Sequence, residues 1–141
     1  DEKIVALAIA TRPDCINEEI CKLIASYKSK LDVWVELGLQ TSNDNTALTI
    51  NRGYESKVFT EAVKLLNKYN IEVITHIMVG LPGENIDNIK ETVEFLNNHN
   101  IQSQELSHFH FLQQVGKQYN LADHYPLFFL KIHIICRDMV N

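Results

Sequence analysis

Short apolar runs alternate along the chain with stretches of helical periodicity. Ile4 to Ala10 is apolar throughout, the pattern of a strand buried on both faces. Pro13-Asp14 ends that run, and Asn17-Glu18-Glu19 supplies a helix start with acids in its first turn. Ile20, Leu23, Ile24 and Tyr27 then share one helical face. Leu31 to Leu39 predicts a second strand around the β-forming Val33-Trp34-Val35. Ser42-Asn43-Asp44 offers caps for a short helix reaching Ile50. After Arg52-Gly53 the helical period resumes over Ser56 to Tyr69, with Phe59, Val63 and Leu66 as apolar anchors. Ile71 to Val79 predicts a third strand, closed by Gly80-Leu81-Pro82-Gly83. Ile86 to Asn98 predicts the next helix through Ile89, Val93 and Leu96, and Ile101 to Leu112 a fourth, less regular strand.

The predicted strands begin about 30 to 40 residues apart, the size of a strand–helix unit. Such alternation argues for an α/β fold with a parallel sheet and right-handed crossovers. No low-complexity linker divides the chain, so residues 1–141 read as one domain. The tail 126–141 holds apolar stretches, Phe128-Phe129-Leu130 and Ile132 to Ile135, without an evident partner.

Composition changes this picture in three ways. A length of 141 residues allows a real core but falls far short of an eight-unit α/β barrel, which needs roughly 250. A net charge of −5 disfavours nucleic acid as a partner of this segment alone. The cysteines, Cys15, Cys21 and Cys136, are odd in number and widely spaced, which suits reduced thiols and a cytoplasmic setting. No apolar run approaches a membrane span, and Asp1-Glu2-Lys3 has no signal-peptide pattern.

In parallel α/β folds ligands sit beyond the carboxyl ends of the strands. Four segments qualify here: Thr11 to Asp14, Glu36 to Thr41, Thr75 to Glu84, and His108 to Gln113. Alternation places Glu36, Gly38 and Gln40 on one face, where a carboxylate and an amide suit ribose hydroxyls or an amino acid moiety; a capping network at the sheet end is the competing reading. Arg52 has the fork that grips carboxylates, set against a solvated surface arginine. Gly80-Leu81-Pro82-Gly83-Glu84 lacks the Gly-Lys-Ser/Thr ending of a P-loop, and offers either backbone amides to an anion or a plain strand-to-helix turn. His76 lies within the third strand, facing either pocket or core. His108 and His110 alternate as a metal pair would, without a third ligand. Cys15 is a nucleophile only beside a base, and otherwise an inert thiol. Neither G-x-S-x-G nor G-x-G-x-x-G occurs, so hydrolase and dehydrogenase readings rank last.

Four strings in order, Ile9 to Cys15, Val33 to Thr41, Ile50 to Tyr54 and His76 to Glu84, resemble the radical S-adenosylmethionine (SAM) superfamily. The likeness is to an uncharacterised bacterial branch related to the Elp3 and oxygen-independent coproporphyrinogen oxidase groups. It covers residues 4 to 112 and fades toward Tyr125. The resemblance implies a partial (βα)6 TIM-like barrel, a [4Fe–4S] cluster held by three cysteines of a CxxxCxxC loop, and reductive cleavage of SAM to a 5′-deoxyadenosyl radical. This sequence has no CxxxCxxC loop. The resemblance therefore implies the middle and later part of a barrel whose full-length parent is an iron–sulfur oxidoreductase or transferase of unknown substrate. No cluster is expected on this chain alone.

By the same resemblance, Gln40 matches a SAM-contacting glutamine and Arg52 an arginine on the SAM carboxylate. His76 stands where relatives place an aspartate near the ribose, and Thr11-Arg12 where they often place a glutamate. Met78 to Leu81, with Gly80, would border the adenine. The cofactor shell expected in the parent is thus Glu36, Gln40, Arg52, His76, Met78 and Gly80. The alternative is a non-catalytic binding or assembly module on the same scaffold, able to dimerise through an open sheet edge.

Overall fold

The computed structural model describes residues 4–98 and the strands His110–Phe111 and Lys131–Cys136. Strand β1 (Ile4–Thr11) leads through a 3-10 turn at Pro13–Cys15 into α1 (Glu18–Tyr27). Strand β2 (Asp32–Gln40) is followed by the short α2 (Asp44–Thr49) and by α3 (Ser56–Lys68). Strand β3 (Glu72–Val79) leads into α4 (Ile86–Asn98), and β4 (His110–Phe111) and β5 (Lys131–Cys136) complete the sheet. Its order is β4-β3-β2-β1-β5. The four strands from β4 to β1 pair in parallel, as the strand–helix alternation predicts. Of the expected fourth strand, His110 and Phe111 pair with Met78 and Val79, and Ile101 to Phe109 lie outside the described residues.

The tail contributes what the hydrophobic pattern does not disclose. Strand β5 runs antiparallel to β1, with Ala8 opposite His133 and Ala10 opposite Lys131. The parallel sheet expected from the alternation is present, and β5 adds an antiparallel strand at one margin. The edge of β1 is thereby paired within the chain. The other expected tail features, and His108, lie outside the described residues.

The two faces of the sheet differ in kind. Val33, Val35, Leu37 and Leu39 of β2, with Val73 and Ile77 of β3, face the helices and form the core. They meet Cys21 and Ile24 of α1, Phe59, Ala62, Val63 and Leu66 of α3, and Leu96 of α4. Strict alternation puts Trp34, Glu36 and Gly38 on the opposite face, in register with Ala8, Ala10 and His76 of the neighbouring strands. Small alanines on β1 leave room above that face, and polar groups gather there.

The expected face of α1 divides. Of Ile20, Leu23, Ile24 and Tyr27, Ile24 is buried in the core, whereas Ile20, Leu23 and Tyr27 are 36%, 59% and 45% exposed. The face against the sheet is instead that of Cys21 and Ile24, with Ala25 packed beside them. Both stripes have helical spacing, so periodicity alone does not choose between them. The choice has a measurable consequence. Phe59→Ala, which empties a fully buried position, is expected to cost about 3–5 kcal/mol. Leu23→Ala is expected to change stability by less than about 0.5 kcal/mol. Urea unfolding of the two variants beside the parent chain measures both.

Candidate functional site

At the carboxyl ends of β1, β2 and β3 the polar face opens into a cleft of about 320 Å3. It is lined by Ala10, Thr11 and Arg12 after β1, and by Glu36, Gly38 and Gln40 of β2. Arg52 and Tyr54 join from the loop before α3, and His76 and Met78 from β3. Of the six residues expected from the sequence, five therefore meet in one place. Gly80 lies beyond the lining, in the turn after β3 at φ +85°. The helix that follows is capped by its own chain: Asn85 Oδ1 accepts from the amides of Asp87 and Asn88. Within the Gly80–Glu84 string the Glu84 amide donates to Leu81 O, as in a strand-to-helix turn.

Arg52 organises the upper rim of the cleft. It is 1% exposed, and four of its five N–H groups donate to the chain around it. Nη1 donates to the carbonyls of Leu39 at 2.8 Å and Thr41 at 2.6 Å. Nε donates to Tyr54 O at 2.8 Å, and Nη2 to Asp44 Oδ1 at 2.8 Å. Asp44 also accepts from the Ser56 amide and hydroxyl, which ties α2 to the start of α3. The second N–H of Nη2 has no acceptor among the described residues. The surface-arginine alternative does not hold.

The two carbonyls that Arg52 grips flank Gln40. Gln40 sits at φ +61°, and the Thr41 amide donates to Leu39 O at 2.7 Å. That is a γ-turn of the positive-φ kind, a strained conformation for a residue with a side chain. The pairing register with β3 slips at this point, from Gly38 opposite His76 to Gln40 opposite Ile77. The slip is a bulge, and it re-aims the Gln40 side chain back over Gly38. A Cβ at Gly38 would stand 2.3 Å from Gln40 Nε2. A side chain at Gly38 would have to displace that amide.

Tyr54 completes this group. Its hydroxyl donates to Gly38 O at 2.6 Å and, at 3.3 Å, to Gln40 Oε1. Two guanidinium groups lie over its ring, with Arg52 Cζ 4.8 Å and Arg12 Cζ 5.4 Å from the centroid. Arg12 in turn forks onto Asp14, Nε to Oδ1 at 2.8 Å and Nη2 to Oδ2 at 2.6 Å. That bond holds the Asp14 carboxyl below the usual carboxylate range. Burial pushes the Tyr54 phenol up to about 12, against the pull of the two arginines, so it remains a donor at neutral pH.

Lower on the same face, His76 Nε2 lies 3.0 Å from Glu36 Oε2, and Trp34 Nε1 donates to Glu36 Oε1 at 3.2 Å. The side chains of Glu36 and His76 are 17% and 34% exposed, so the pair is open to the cleft. The sequence pattern marks Glu36 and His76 singly, but not their contact, and passes over Trp34 and Tyr54. Tyr54 had a signal of its own. Gly53, at φ +84°, turns the chain just before it, where Arg12 closes over the glycine.

The cysteines stand apart from this cleft. Cys15 is exposed on the 3-10 turn, and Cys21 is fully buried beneath α1, where burial pushes its thiol up. A cluster ligand must be a thiolate, so Cys21 does not fit that role. Among the described residues no three His, Cys, Asp or Glu side chains gather in a metal-holding group.

The comparisons give this geometry its context. The family description "Radical SAM superfamily" matches residues 1–96. The chain belongs to the radical SAM superfamily. It is 37% identical over 120 residues to the uncharacterised protein YtqA of Bacillus subtilis, covering 84% of this chain and 37% of YtqA. Among solved structures it resembles the Elp3 of the archaeon Methanocaldococcus infernus, with a TM-score of 0.56 and 31% identity. That match covers 65% of this chain and 21% of Elp3. The HemN coproporphyrinogen III oxidase of Escherichia coli shares the fold alone, with a TM-score of 0.56, 14% identity, and coverage of 66% and 21%. The chain thus spans well under half the length of these radical SAM proteins. The partial TIM-like barrel expected from the sequence agrees with both structural neighbours. No helix among the described residues is long and apolar enough to cross a membrane.

Two outcomes test this account of the rim. Arg52→Ala takes the donor from the carbonyls of Leu39, Thr41 and Tyr54 and leaves Asp44 with its Ser56 partners alone; it is expected to cost about 3–5 kcal/mol by denaturant unfolding, with Arg52→Lys recovering only part. Tyr54 carries a folded pKa above its unfolded value, so its contribution to stability is present below about pH 10 and lost as pH rises toward about 12. Thermal unfolding between pH 9 and 12 is expected to fall less steeply in Tyr54→Phe than in the parent.

Proposed function

We propose that the cleft at the carboxyl ends of β1 to β3 is the SAM site of an enzyme that cleaves SAM reductively and passes the resulting radical to a substrate. The observation that carries this reading is the meeting of Glu36, Gln40, Arg52, His76 and Met78 in one cleft of a radical SAM barrel sheet. Each has chemistry that suits a part of the ligand. The Glu36–His76 pair offers an acceptor and a ring nitrogen to the ribose hydroxyls. The remaining N–H of Arg52 suits the carboxylate of the methionyl moiety. Gln40 supplies an amide, seated above Gly38, on the wall of the cleft. Met78 gives an apolar, polarisable wall for the adenine, with the backbone near Gly80 at its border.

A [4Fe–4S] cluster supplies the electron for cleavage in such enzymes. The described residues do not fit its ligand set, so we place the cluster cysteines elsewhere in a longer parent protein. This chain would then hold the SAM-side shell without turning over. The odd number and wide spacing of the cysteines support a reducing compartment such as the cytoplasm. The non-catalytic alternative, with dimerisation through an open edge, draws no support from β1, whose edge already carries β5.

Isothermal titration calorimetry of the chain with SAM tests the reading. The parent is expected to bind, and Glu36→Gln, which keeps the shape and removes the charge, to bind about tenfold more weakly. Absence of SAM binding by the parent, or equal affinity of the two proteins, would sink the assignment.

A further inference from the structure

Tyr54 belongs to a string that the sequence singles out through Arg52, yet the tyrosine itself has no part in the expected cofactor shell. Its surroundings are more specific than a packing role requires. The phenol hydroxyl has one proton, and lies 2.6 Å from Gly38 O and 3.3 Å from Gln40 Oε1. The proton serves the shorter bond to Gly38 O, and toward Gln40 the hydroxyl oxygen can meet either end of the amide, so what it fixes is the amide's place above Gly38 on the wall of the cleft. The backbone beneath has been strained to bring this about, since Gln40 occupies a positive-φ γ-turn clamped on both sides by Arg52. The guanidinium groups of Arg12 and Arg52 both lie over the ring of Tyr54. Backbone clamp, empty Cα and fixed phenol all act on one amide.

We propose that Tyr54 is a positioning residue that holds the Gln40 amide in one place and orientation on the wall of the cleft, ready for the ligand. On the SAM reading above, the group it meets is a polar group of that molecule. The orientation itself does not depend on which group arrives. It is a property of the free protein, installed before binding, and removes the need to order a long amide side chain at the moment of contact.

Two measurements separate this inference from the SAM reading on which it builds. The first is the Gln40 side-chain NH2 signal pair in 15N-correlated NMR spectra of the free chain, identified by its loss in Gln40→Ala. In the parent the pair is expected to be dispersed from the other glutamine amides. In Tyr54→Phe, which keeps the ring and removes only the hydroxyl, it is expected to move toward free-glutamine positions. An unmoved pair would overturn the proposal, even if Tyr54→Phe were less stable. The second is calorimetry with SAM. Tyr54→Phe is expected to weaken binding about fivefold to tenfold, and to have no further effect in a Gln40→Ala background. A loss of the same size with Gln40 absent would assign Tyr54 a role independent of the amide and overturn the positioning. Should the parent fail to bind SAM while the NMR pair still moves, the SAM reading falls and the orientation of Gln40 by Tyr54 stands.

Discussion

One buried guanidinium sets the shape of this site. Arg52 takes a full positive charge almost entirely out of water and repays that cost by donating to three backbone carbonyls and one carboxylate. Lysine has one compact ammonium in place of a planar fork, and cannot reach those four acceptors together. The acceptors come from the end of β2, the start of α2 and the loop before α3. A single side chain therefore decides how the chain leaves the sheet and where it re-enters the helical layer. The strained turn at Gln40, the position of Tyr54 and the start of α3 all depend on it.

The two faces of the sheet divide the labour. The face against the helices is aliphatic apart from positions such as Thr75, and supplies the burial that stabilises the fold. The opposite face carries Trp34, Glu36, His76 and Met78 over a floor of alanines and a glycine. Because alternation is strict along β2, one strand serves both layers at once. A second polar group sits behind the rim, where Thr92 bonds to Ser42 and Thr41 reaches Glu84. It fastens α4 and the turn after β3 to the end of β2. The cleft wall is thus backed by hydrogen bonds between elements far apart in sequence.

Much of this was legible in the chain, for identifiable reasons. The strands of the parallel sheet announce themselves as apolar runs at regular spacing. The helices begin at Asn17, Asn43 and Ser56 or close beside them, where caps or polar starts are visible. Ile20, Leu23 and Tyr27 mislead because two overlapping stripes on α1 both satisfy the helical period, and only packing reveals that Cys21 and Ile24 are used. The pairing of β5 with β1 is a long-range contact that no local pattern encodes. At the site, residue type and strand position locate Glu36, Gln40 and His76. They do not reveal that Gln40 bends to a left-handed backbone, because that depends on Arg52 closing a turn from another segment. Tyr54 escapes for the same reason, since its partners lie fourteen and sixteen residues away in sequence.

The antiparallel strand at the margin has a kinetic side as well. A strand edge has one row of amides and carbonyls, and β5 occupies that of β1 over its length. Any other strand seeking the same row, from a neighbouring unit or a second molecule, must first strip β5 away. Its arrival would be limited by how often the tail lifts off, whatever its own affinity. While β5 stays paired, that side of the sheet offers no free row of amides and carbonyls along β1.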